Sequence, residues 1–146
     1  EAILATKFGD LTQVDAAVKD YTLLAELTDD PAKKKDYPLK AANVLREAGK
    51  NPEAIEAYKG ILNSDPDNVE ALYGLGLIYA NEEKTWQDSA NMLQKFIDKA
   101  PANDSRVADA KSVISYLLQG NKNLVAPKSD ADKKGKPAQV PAKKKP

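Results

Sequence analysis

The sequence has no cysteine and no histidine among its 146 residues. Without cysteine there is no disulfide, no thiolate metal site and no thiol nucleophile. Without histidine, the usual general base near neutral pH and the commonest transition-metal ligand are missing too. Aromatics are sparse, with two Phe, one Trp and six Tyr, so the core has to be built mainly from aliphatic side chains. No apolar run approaches the roughly 18–20 residues of a membrane span. Gly-rich phosphate loops, nucleophile elbows and zinc motifs are absent. The acidic pairs Asp29/Asp30 and Glu82/Glu83 lack the ligand spacing of a calcium loop. Any catalysis would have to be assembled from Asp, Glu, Lys and Tyr alone. The chain reads as a non-enzymatic protein with no cofactor and no metal.

What is present is repetition. Pro31, Pro66 and Pro101 share one spacing, and Leu27, Leu62 and Ile97 precede them at the same interval. Leu23, Tyr58 and Leu93 form a third column. Columns that move together at a period in this range indicate small units stacked into an array. The apolar residues between the breaks recur at three- and four-residue steps, as in Leu11, Val14, Val18, Tyr21 and Ala25, which marks helix faces. Asp29-Asp30-Pro31 ends the first helix. A second is expected from Asp36, with Pro38 in its first turn and Gly49 at its end. Asn51-Pro52 opens a third, with Asn51 as its cap, Asp67 caps a fourth, and Thr85-Trp86 begins a fifth. Asp104 or Ser105 caps a last helix that ends at Gly120.

Net charge is zero for the whole chain but not for its parts. Residues 121–146 hold eight lysines against Asp130 and Asp132, a charge of +6, and the remaining residues carry −6. That last stretch is rich in Pro, Lys and Ala and holds few large apolar residues. Such a composition cannot bury enough apolar area to offset its conformational entropy, so residues 121–146 are expected to be a disordered tail behind a helical domain of residues 1–120. The tail has no aromatic side chain to stack on bases. It implies weak contact with anionic partners and no specific nucleic-acid site. Its lysines could also fold back loosely onto the acidic body.

The pattern resembles the tetratricopeptide repeat, a 34-residue helix–turn–helix unit. Leu72, Leu75, Gly76 and Tyr79 match the signature of a first helix, and Ala54, Tyr58, Ile61 and Pro66 that of a second. Pro38, Ala41, Ala42 and Leu45 are a degraded first half. Ser89, Leu93, Phe96 and Pro101 are a second half that needs a one-residue insertion near Asn81–Trp86. Residues 1–31 fit in either of two registers. One uses Leu23, Leu27 and Pro31; the other, two residues away, uses Ala17, Tyr21 and Leu24. Residues 104–119 resemble a closing first helix whose outer positions, Arg106 among them, suit solvent.

The resemblance implies an all-α helix-turn-helix repeat solenoid of about three repeats. It also implies a role in protein–protein interaction. First helices of the family line a concave groove that takes a peptide or helix of a protein partner. Carried onto this chain, the groove residues are Leu39, Asn43, Arg46, Tyr73, Leu77, Asn81 and Ser112. Leu39, Tyr73 and Leu77 would form an apolar centre with polar groups around it. The carboxylate clamp of some members is not matched, because only Asn43 fits and Leu39, Gly74, Ser105 and Asp109 do not. A structural subunit that self-associates as a homo-oligomer, or stacks on further repeats, is the alternative. Trp86 is expected to pack against a neighbouring helix. Glu1 in place of Met points to a processed or excised chain, and the residues leave exported, periplasmic and cytoplasmic locations equally open.

Overall fold

In a computed structural model, the structure describes residues 11–134. Six long helices follow one another in a right order for an array: α1 (Leu11–Leu27), α2 (Pro31–Glu47), α3 (Asn51–Ser64), α4 (Val69–Tyr79), α5 (Trp86–Lys99) and α6 (Arg106–Gly120). A 3₁₀ turn (Glu83–Thr85) precedes α5, and a single helical turn, α7 (Asp130–Lys133), follows α6. There is no strand among the described residues. Each long helix packs on the next in sequence, and α2 also touches α4. Connections this short fold consecutive helices into antiparallel hairpins. Two repeats, α2–α3 and α4–α5, are therefore flanked by one further helix at each end.

Helix boundaries follow local chemistry, with three departures from expectation. α2 begins at Pro31, one full turn before Asp36. The Asp30 carboxylate accepts from the Ala32 and Lys33 amides (2.9 and 3.4 Å), and Pro31 at the first position has no amide to waste. The same Asp-Pro pair thus stops one helix and starts another. Pro38 lies inside α2, where it has no N–H to offer the Lys34 carbonyl. At the other end Gly49 adopts φ 76°, the left-handed conformation that closes a helix with little penalty only for glycine. Asn51 and Asp67 are not the caps expected of them. Asn51 is the first helical residue of α3, and Asn68 caps α4 by accepting from the Ala71 amide at 3.0 Å.

Small residues set how closely the helices approach. Ala42 and Ala54 are fully buried. Gly74 lies against the Tyr58 ring and Gly76 against Leu93, where a Cβ would come within 2.7 Å of Cδ2. The buried Ser89 hydroxyl donates to the Gly76 carbonyl at 2.7 Å. Two apolar clusters result. One centres on Ala42, Tyr58 and Leu75, the other on Leu72, Leu93, Phe96 and Leu117. Leu62 and Met92 pack against both.

α1 follows the second of the two registers at Ala17 and Tyr21, which are partly buried, while Leu24 of that register is 43% exposed. Tyr21 stacks on Tyr37 of α2 with ring centroids 6.2 Å apart, as Tyr58 lies against Gly74 of α4. Leu23 and Leu27, which the thirty-five-residue columns would bury, are 52% and 70% exposed.

The segment after Gly120 does not behave throughout as a structureless tail. Residues 121–130 run along α5. Gln87 bonds the Val125 backbone in both directions (2.8 and 2.9 Å), and Asn121 donates to Glu83 at 2.9 Å. Leu124 packs on the second cluster. Asp130 then pairs with Lys99 at 3.4 Å and offers its amide to Asp98 at 2.9 Å. Among the described residues the tail-to-body ion pair is the reverse of the one expected, a tail carboxylate meeting a body lysine. Residues 135–146, the rest of the expected tail, lie outside the described residues.

Candidate functional site

α2, α4 and α6 stand side by side as the first helices of successive units. Leu39, Asn43 and Arg46 share one face of α2; Tyr73 and Leu77 share the matching face of α4. Arg46, Leu77 and Asn81, together with Asn51 and Ala80, line one cavity of about 390 Å³. Three of the seven residues carried over from the family pattern are thereby brought to one place.

Asn43 and Arg46 have a second connection through Tyr58. The Tyr58 hydroxyl, on a fully buried ring from α3, donates to Asn43 Oδ1 (2.5 Å) and accepts from Arg46 Nε (3.3 Å). Burial pushes the Tyr58 phenol above the ordinary tyrosine range, and the Arg46 bond pulls it back in part. The effect is to hold both α2 side chains in place by a hydroxyl inside the core. Only Nε of Arg46 is engaged in that contact.

Tyr73 is half-buried. Its ring meets Phe96 at 5.0 Å between centroids, and the Arg106 guanidinium lies 5.4 Å from both rings. Arg106 donates to Asp104 through Nε and Nη2 (3.0 and 2.7 Å) and to Glu70 through Nη1 (2.8 Å). These hydrogen bonds raise the guanidinium further above its ordinary value and hold the Asp104 carboxyl below the usual carboxylate range. Burial is the larger influence on Tyr73 and raises its phenol; Asp109 adds to that, while Arg106 and Arg46 oppose it. Tyr73 therefore sits in the fields of α2 and α6 together.

Arg106 corrects the expectation of a solvent-facing outer residue. It is part-buried and ties α4 to α6. The signal for it was Phe96, a bulky ring at a position where the repeat prefers something smaller and which needs a cover. Leu39 packs against the first core cluster. Ser112 is exposed on α6, donates to the Ala108 carbonyl of its own helix (3.1 Å) and does not line that cavity. Trp86 packs as expected, its indole N–H donating to the Ala80 carbonyl at 2.9 Å and its ring edge-on to Tyr116.

A family model described as TPR repeat matches residues 42–82, and one described as tetratricopeptide repeat matches residues 70–103. Residues 42–103 are tetratricopeptide repeats. Together the two matches include the close approach of Tyr58 to Gly74 between the repeats and that of Leu93 to Gly76 within the second. Neither the curated proteins nor the solved structures contain a match. Tetratricopeptide repeats generally mediate protein–protein interaction, and the fold is typically a non-enzymatic scaffold. No helix among the described residues is long and apolar enough to cross a membrane.

Proposed function

We propose that the face formed by α2, α4 and α6 holds a peptide or helix of a partner protein, and that the chain acts as a scaffold and not as an enzyme. Leu39, Tyr73 and Leu77 form the apolar part of the surface; Asn43, Arg46, Asn81 and Ser112 form the polar part. The observation that carries this reading is the cavity shared by Arg46, Leu77 and Asn81. It has an apolar wall, an amide and a guanidinium within one peptide side chain's reach, the mixture by which grooves of this kind recognise peptides. Arg46 is the natural contact for a partner carboxylate, because its Nη nitrogens can still make a charge-assisted pair.

A peptide library screened against the full chain tests this. Binders are expected, with affinity falling at least tenfold, about 1.4 kcal/mol, in Leu77→Glu and in Asn81→Ala while helix content and melting temperature hold. Binders that are indifferent to both substitutions would remove the groove from consideration.

A further inference from the structure

A second surface lies on the opposite face of α2. There α1 and α3 stand on either side of Lys34, Pro38, Ala41 and Leu45, and an apolar groove of about 650 Å³ opens between them. The next repeat shows why it is open. With Tyr21 of α1 matched to Tyr58 of α3, Ala25 takes the place of Leu62. With Ala42 matched to Gly76, Pro38 and Ala41 take the places of Leu72 and Leu75, and Ala57 that of Met92. Leu72 and Leu75 are buried, and Leu62 and Met92 pack into both clusters. Each position that is filled at the second junction holds a smaller side chain at the first.

Beside this hole stand two projections. Leu23 and Leu27 are 52% and 70% exposed. Their counterparts on α3 are Gly60, which faces open space, and the exposed Ser64. On α5 they are Lys95 and Lys99, which pair with Asp67. The outer face of α1 is thus apolar where its sister helices are polar or bare. Glu26 and Lys34, of opposite charge, both line the groove.

We propose that this face is a homodimer interface, with Leu23 and Leu27 of each copy entering the apolar groove of the other. A two-fold interface requires one patch that carries both a projection and its own complement, and this patch has the leucines, the groove and both signs of charge. Glu26 of one copy meets Lys34 of the second. A preceding first helix of the repeat type would cover Ala17 and Leu24, the counterparts of Ala54 and Ile61, and would leave Leu23 and Leu27 uncovered. The other end of the described array is built differently. Lys111 replaces the small residue of Ala42 and Gly76, and residues 121–130 lie along α5. The peptide surface is on the other side of α2, so dimerisation and peptide binding can be lost independently.

The test is the solution mass of the full chain, by light scattering and equilibrium sedimentation over a wide concentration range. A dimer of the 15.8 kDa chain is expected. Leu23→Lys with Leu27→Lys copies the residues α5 already tolerates, and should weaken dimerisation at least tenfold with helix content unchanged. Ala25→Leu should fill the groove and weaken it similarly while raising the melting temperature of the monomer. Lys34→Glu should weaken it, and adding Glu26→Lys should restore it. A wild-type monomer at every concentration overturns the proposal. So do leucine variants that dimerise as tightly as wild type, or that lower the melting temperature of a monomer, since the leucines would then be covered within one chain.

Discussion

Gly60 and Gly74 are both helical glycines, and their surroundings give opposite expectations. Nothing lies within 4 Å of a Cβ built on Gly60. Gly60→Ala should therefore raise stability by about 0.5–1 kcal/mol through helix propensity alone. A Cβ on Gly74 would press into the buried Tyr58 ring, 2.6 Å from its hydroxyl oxygen. The same propensity gain is there outweighed by overpacking, which costs about 1–3 kcal/mol, and by displacement of the hydroxyl from Asn43 and Arg46. Chemical denaturation of the two variants should move the midpoint in opposite directions; equal shifts would contradict the packing described. Both glycines look alike in the sequence. Gly76 falls at a position named by the family pattern, and Gly74 does not. Gly74 gained its meaning from a tyrosine on another helix.

At the scale of elements, the join between α4 and α6 has an electrostatic part beside its apolar one, and that part can be titrated. Asp104 is held below the ordinary carboxylate range chiefly by its hydrogen bonds from Arg106. A carboxylate depressed on folding contributes stability above its unfolded value, and that contribution is lost as pH falls through the folded value. The melting temperature of wild type should exceed that of Asp104→Asn at neutral pH, and the difference should close below about pH 4. A difference that persists in acid would mean that Asp104 acts by shape and not by charge. The elements themselves were largely legible from periodicity and breakers. The start of α2 was not, because two signals competed. Asp36 with Pro38 reads as a helix start, yet Asp30-Pro31 had already made one, and a helix begun there can tolerate one missing amide inside it. The packed segment 121–130 was illegible for another reason. Its composition is that of a loose tail, and what holds it is Gln87, a residue 38 positions away.

For the molecule as a whole, the two core clusters are joined through Leu62 and Met92. A stack of repeats unfolds as a unit only while its neighbour contacts outweigh the marginal stability of each unit. The double variant Leu62→Ala/Met92→Ala removes side chains common to both clusters. It should broaden the calorimetric transition, or split it in two, with faster hydrogen exchange in α1–α3 than in α4–α6. A single sharp transition at lower temperature would show that other contacts carry the coupling.

The sequence by itself determined that the chain is helical, that it is built of unequal repeats, and that Arg46, Leu77 and Asn81 belong to one class of position. Periodicity, breakers and small residues at close contacts are local, so they can be read without coordinates. The tertiary structure decided the register of α1, the central place of Arg106, the bond from the Tyr58 hydroxyl to Asn43, and the open groove between α1 and α3. Each of these depends on which side chain of a distant helix stands opposite. Spacing along a chain does not specify the space left between two helices; the sizes of residues on both sides do.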